Sequence, residues 1–124
     1  MKDLNDEYSN SNGTENYYEF ESNPNYVMTD CVEDLVTKYE MDPLMVDLMN
    51  ISARHLDKRM LVFIIQNDNG VGKLTVTDGN EVVLVETDKV NLCSIPDGLL
   101  KIWLMHDQTL DSDLNNIFLL PVEY

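Results

Sequence analysis

The chain has 124 residues, 44% of them hydrophobic, enough for one domain whose core needs neither metal nor disulfide. Twenty-three acids against 8 bases leave a net charge of −15. That balance disfavours bare DNA, RNA or an anionic membrane as a direct partner, because those need clustered Lys and Arg, and it favours cationic surfaces instead.

Residues 1–27 differ from the rest. Their only aliphatic residues are Leu4 and Val27, Lys2 is their only base, and Asn, Ser, Glu and Asp dominate. Such a segment is short of apolar surface to offset its ordering entropy, so a disordered arm is expected. Five of the ten aromatic residues of the chain nevertheless lie here: Tyr8, Tyr17, Tyr18, Phe20 and Tyr26. Rings set among acids suit a contact segment, with rings supplying area and carboxylates steering toward a basic partner. The alternative is that the rings fold back onto the domain as an added strand or cap.

Residues 28–124 are expected to form a single α+β domain. Thr29 or Asp30 can cap a first helix, in which Val32, Leu35, Val36 and Tyr39 recur at helical spacing. Asp42 and Pro43 open a second helix running to about Leu56. Met41, Met45 and Met49 lie four apart along it, a row that reads mainly as core filling. Strands are then expected at Met60–Gln66, Lys73–Thr77, Glu81–Glu86, Leu99–His106 and Asn116–Val122. A turn at Asn67-Asp68-Asn69-Gly70 and a two-residue hairpin at Asp78-Gly79 separate the first three. Pro121 points to an edge position for the last. The expected architecture is thus a disordered N-terminal arm, two helices, and an antiparallel sheet of four or five strands.

Chemistry-bearing motifs are scarce. Cys31 and Cys93 are too few for a secreted scaffold and read as free thiols of a reducing compartment, with their pairing left open. They lie too far apart in sequence for a zinc site. Cys93, His106 and Asp107 could be imagined as a triad, but adjacent strand residues point to opposite faces. His55 suits the end of the second helix. The oxygen-rich stretch Asp107–Asn116 lacks the glycine and closing glutamate of a calcium loop and reads as a capped turn. Gly70-Val71-Gly72-Lys73 leads into a strand, so it is no phosphate loop. Asn23-Pro24-Asn25-Tyr26 and Tyr17-Tyr18-Glu19-Phe20 match short tyrosine motifs that arise easily by chance.

These features predict a non-enzymatic protein, with no cofactor and no metal, that docks on a basic surface of another protein. Nucleic-acid mimicry is one route to such docking. Tyr17, Tyr18, Glu19, Phe20, Glu21 and Tyr26 are the expected contact residues. A non-catalytic subunit of a larger assembly is the alternative. No apolar leader follows Met1, and the longest apolar run, Met60–Ile65, is far short of a membrane span, so a cytoplasmic location, or a nuclear one by diffusion, is expected. Thirteen asparagines hint at an AT-rich genome, as in a phage, a virus or many other hosts.

Overall fold

The computed structural model describes residues 1–10, 16–80, 82–106 and 116–123. Helix α1 (Asp30–Lys38) opens after Thr29, with Asp30 and Glu33 in its first turn, where negative charge complements the helix dipole. The Thr29 hydroxyl donates to Glu123 Oε1 at 2.6 Å instead of capping the helix. Glu40 takes a left-handed conformation (φ 52°), and the Met41 N–H reaches back to the Val36 carbonyl at 3.0 Å, closing α1 with a Schellman-type turn. Helix α2 (Asp42–Ser52) follows at once, with Pro43 in its first turn, where the missing N–H costs nothing. Met41, Met45 and Met49 are all buried, so the methionine row fills the core.

The strands are β1 (Tyr17–Phe20), β2 (Asn23–Thr29), β3 (Met60–Asp68), β4 (Val71–Thr77), β5 (Val83–Thr87), β6 (Gly98–His106) and β7 (Asn116–Leu119). Among the described residues they form one sheet in the order β1-β2-β7-β6-β3-β4-β5. The α+β class therefore holds, but the sheet has seven strands and is mixed, because β2 runs parallel to β7 while every other pairing is antiparallel. In central β3, Leu61, Phe63, Ile65 and Asn67 are buried and the residues between them are less so, the alternation of a strand with one core face. Helix α1 packs on β1, β2 and β7.

Turn chemistry worked at one hairpin and misled at the other. Asn69 and Gly70 both have positive φ (52° and 89°), the mirror-image two-residue turn that joins β3 to β4. After β4 the connection is longer than the expected Asp78-Gly79 turn. Thr77 pairs with Val83, and Asp78 Oδ1 accepts from the amides of Asn80 (2.8 Å) and Val82 (3.3 Å). Pro121 also sits differently: β7 ends at Leu119 and lies inside the sheet between β2 and β6, with Pro121 in a short 3-10 turn beyond it.

The main departure from expectation is at the N-terminus, where a disordered arm was predicted. A 3-10 turn at Leu4–Tyr8 places Leu4 in the core at 0% exposure. Strand β7 pairs with β6 only over Trp103–His106, leaving the first half of that edge open. The N-terminal residues fill it: the Leu99 amide donates to the Lys2 carbonyl at 2.8 Å, and the Asn5 side chain both donates to and accepts from the Lys101 backbone at 2.8 Å. Gly98 makes this approach possible. Its φ is +146°, and a Cβ there would lie 2.7 Å from the Lys2 carbonyl oxygen and 2.9 Å from Leu4. The boundary expected at 27/28 falls inside β2.

Aromatic area supplies what the aliphatic count lacked. Phe20 meets the ring of Phe118 edge-on at 5.8 Å, Tyr26 stacks on it at 5.8 Å, and Phe63 lies 6.1 Å away. Each such ring buries roughly 150–250 Å² and adds specific pair attraction. No helix among the described residues is long and apolar enough to cross a membrane.

Candidate functional site

Where the tip of the β1–β2 hairpin approaches the first turn of α2, the surface opens into a cleft of about 740 Å³. Its apolar lining comes from Phe20, Met28, Pro43 and Val46, and its polar lining from Glu19, Glu21, Ser22 and Asp42. Phe20 (5% exposed) and Met28 (9%) are the inner faces of core residues, whereas Val46 is 40% exposed on the outer side of α2. The three carboxylates make no ion pair among the described residues. Such a combination suits a guest with a hydrocarbon stem and a cationic head, which is the build of a Lys or Arg side chain.

The six expected contact residues divide sharply. Glu19, Phe20 and Glu21 line the cleft. Tyr17 (58% exposed) and Tyr18 (38%) open the same strand, β1, that carries Glu19 and Phe20. A hydrogen bond to Asp30 holds the Tyr18 hydroxyl above its ordinary pKa, so that side chain leans toward the start of α1. Tyr26 is 5% exposed, and its hydroxyl meets Ser52 Oγ at 2.5 Å inside the core. Tyr26 therefore leaves the contact set, and Phe20, 5% exposed, offers little surface, because both rings are committed to the Phe118 cluster. For the same reason Asn23–Tyr26 is a strand segment and no presented tyrosine motif.

Sequence reasoning missed Met28, Asp42, Pro43 and Val46. Asp42 and Pro43 were legible only as a helix start. Val46 carried a signal of its own, since beyond Pro43 in the first turn it is the apolar residue of an exposed helix face that also holds Asp42, Asp47 and Asn50.

A second acidic-aromatic cluster is closed upon itself. The Glu7 carboxylate accepts from Lys38 Nζ at 2.6 Å and from the Tyr39 hydroxyl at 3.0 Å, and Tyr8 donates to Asp34 at 2.5 Å. The Lys38 ammonium holds the Glu7 carboxyl below its ordinary range, and Glu7 in turn raises Lys38. Burial first, then the bond to Asp34, pushes the Tyr8 phenol up; burial first, then Glu7, does the same for Tyr39.

The other candidates are dispersed. Cys31 is buried and Cys93 half-buried, and the two are not joined by a disulfide. Cys93 lies in the loop before β6, and its Sγ approaches the Asn91 carbonyl at 3.7 Å. His106 sits at the far end of β6, where Nδ1 meets the Asn116 amide oxygen. A nine-residue strand of about 3.3 Å per residue separates them. The oxygen-rich stretch from Asp107, its first nine residues, lies outside the described residues. Among those described, no group of three or more His, Cys, Asp or Glu is arranged to hold a metal ion.

No curated protein and no solved structure matches the chain. Residues 2–124, which take in the N-terminal turn, the hairpin and the cleft, match a family described as "Family of unknown function (DUF6876)", and the chain belongs to that family.

Proposed function

We propose that this chain is a non-catalytic binding or inhibitor protein that docks on a basic surface of another protein. The observation that carries this reading is the cleft, which joins an apolar floor (Phe20, Met28, Pro43, Val46) to three carboxylates (Glu19, Glu21, Asp42) that make no ion pair among the described residues. The net charge of −15 supports it by drawing cationic partners from a distance. A nucleic-acid-binding site is one basic surface of this kind, with carboxylates standing where phosphates would lie.

The test is the affinity of the intact protein for a Lys- and Arg-rich peptide, measured across a salt series. Affinity is expected to fall steeply with salt, and Glu19→Lys together with Glu21→Lys should weaken it by about tenfold or more at low salt. Binding unmoved by both changes would overturn the role of the cleft.

A second reading, a non-catalytic subunit of a larger assembly, is favoured by Val82 (53% exposed) and Val83 (52%) at the start of β5 on the opposite edge of the sheet. It requires self-association or poor behaviour alone. A clean monomer at high concentration in sedimentation analysis would count against it.

A further inference from the structure

We propose that the occupant of the cleft is a short, extended, basic segment of the partner, which pairs main chain to main chain with the outer edge of β1 and places a Lys or Arg side chain in the cleft. This deepens the binding reading above and rests on it.

Strand β1 ends the sheet, and among the described residues no strand lies beyond it. Alternate residues of an edge strand turn their N–H and C=O groups outward, ready for another chain. Proteins guard such edges with cover, proline, bulges or charge. At β1 the guards are a register shift between Glu19 and Phe20 and the carboxylates of Glu19 and Glu21. That protection depends on sign. It repels a second copy of this chain, which brings the same acids and the same net charge of −15, and it attracts a strand carrying Lys or Arg.

The acid within the opposite edge strand is used differently. On β5 the Glu86 carboxylate is already met by Lys73 at 3.0 Å, so its charge is neutralised within the sheet. At β1, by contrast, Glu19 and Glu21 make no ion pair among the described residues.

The geometry of an added strand fits the cleft. It would lie about 4.8 Å from β1, with side chains alternating between the two faces of the sheet. Every second side chain would fall on the face of Phe20 and Met28, where the cleft opens. Tyr17, 58% exposed on β1, offers a ring to a neighbouring cation. With four residues in β1, the segment paired would be correspondingly short.

The test uses the full chain and a fluorescent peptide, Lys-Thr-Lys-Val-Lys-Thr, read by polarisation. Two further peptides carry N-methyl groups on one or the other set of alternate residues. An added strand directs only one set toward β1, so one methylated form is expected to bind about tenfold or more weaker and the other nearly as well as the parent. Exchange of the outward amides of β1 should slow with the parent peptide. If both methylated forms bind like the parent, the cleft takes basic side chains without strand pairing; this proposal then falls while the binding reading stands. Equal binding of a Glu-Thr-Glu-Val-Glu-Thr peptide would remove the sign selectivity and overturn the proposal. Failure of the parent and of an unstructured Lys-rich peptide alike would overturn both readings.

Discussion

Two parts of the first thirty residues share a composition and spend it in opposite ways. In the Leu4–Tyr8 turn, Glu7 faces Lys38 and Tyr39, Tyr8 faces Asp34, and Leu4 is buried. Along the β1–β2 hairpin, Glu19 and Glu21 make no ion pair among the described residues, and Tyr17, at the start of β1, lies open. The first region is a fastening, with Glu7 and Tyr8 tied to residues at and after α1. The second is a surface with charge to spare. Composition alone does not separate a structural acid from a recognition acid; what separates them is whether the fold provides a partner.

The sharpest way to break this contrast is through Leu4. Leu4→Ala leaves a void under a fully buried position and is expected to cost about 2–5 kcal/mol, read by denaturant unfolding. A change of a few tenths would mean that the N-terminal turn is not part of the cooperative unit, and the fastening would dissolve into the arm expected from composition.

A smaller effect tests the hairpin's own anchorage. Tyr26→Phe keeps the ring on Phe118 and removes the hydroxyl that meets Ser52. Ser52 still donates to the Met49 carbonyl at 2.8 Å, so the loss should be limited to about 0.5–1.5 kcal/mol in the same unfolding measurement. A neutral result would assign the anchorage to ring packing alone.

Much of the core half of the molecule was legible in the sequence, and the reason is periodic. From Met60 to His106, strand runs with alternating burial and an Asn-Gly turn signal each other through local rules. The helices were legible for the same reason, down to Asp42 and Pro43 at the start of α2. Three features were not. The parallel pairing of β2 with β7 joins Tyr26 to Asn116, far apart in sequence, and no local pattern encodes such a contact. The capture of the N-terminal segment turns on Phe20 and Tyr26 finding Phe118, which a count of aliphatic residues overlooks. The cleft depends on both: Glu19 and Glu21 were visible as candidate contacts, but only the fold brings them beside Pro43 and Val46.

Acid titration sharpens the fastening further. Because Lys38 holds the Glu7 carboxyl below its ordinary value of 4.5, the pair adds stability that is complete above that value and is lost as pH falls through the lowered one. The pair is partly exposed, with Glu7 at 30% and Lys38 at 49%, so the loss should be small. Glu7→Gln is expected to lower stability slightly in the neutral region and to converge with the parent in acid, which flattens the acid limb of a stability-against-pH profile. Tyr8, held above its ordinary 10.0, adds a mirror-image loss as pH rises past that value, which Tyr8→Phe should remove. An acid limb of unchanged slope in Glu7→Gln would show that the contact with Lys38 does not persist in solution.

The smallest expected change in stability is the most informative about the hairpin tip. Glu19 and Glu21 are exposed, make no ion pair among the described residues, and sit in a chain of net charge −15. Neutralising them as Glu19→Gln and Glu21→Gln should leave unfolding stability within about 0.5 kcal/mol, with a slight gain as self-repulsion falls. Asp42 is a poor third member of this set, because it lies in the first turn of α2 and its charge also complements the helix dipole. Carboxylates that hold a fold together lower its stability when they are removed; carboxylates kept for a partner do not, and their removal is felt in binding. A clear loss of stability in the double variant would therefore turn the tip into a second fastening and erase the contrast with Glu7. Unchanged stability together with weakened binding of a basic peptide would place the two regions in separate roles.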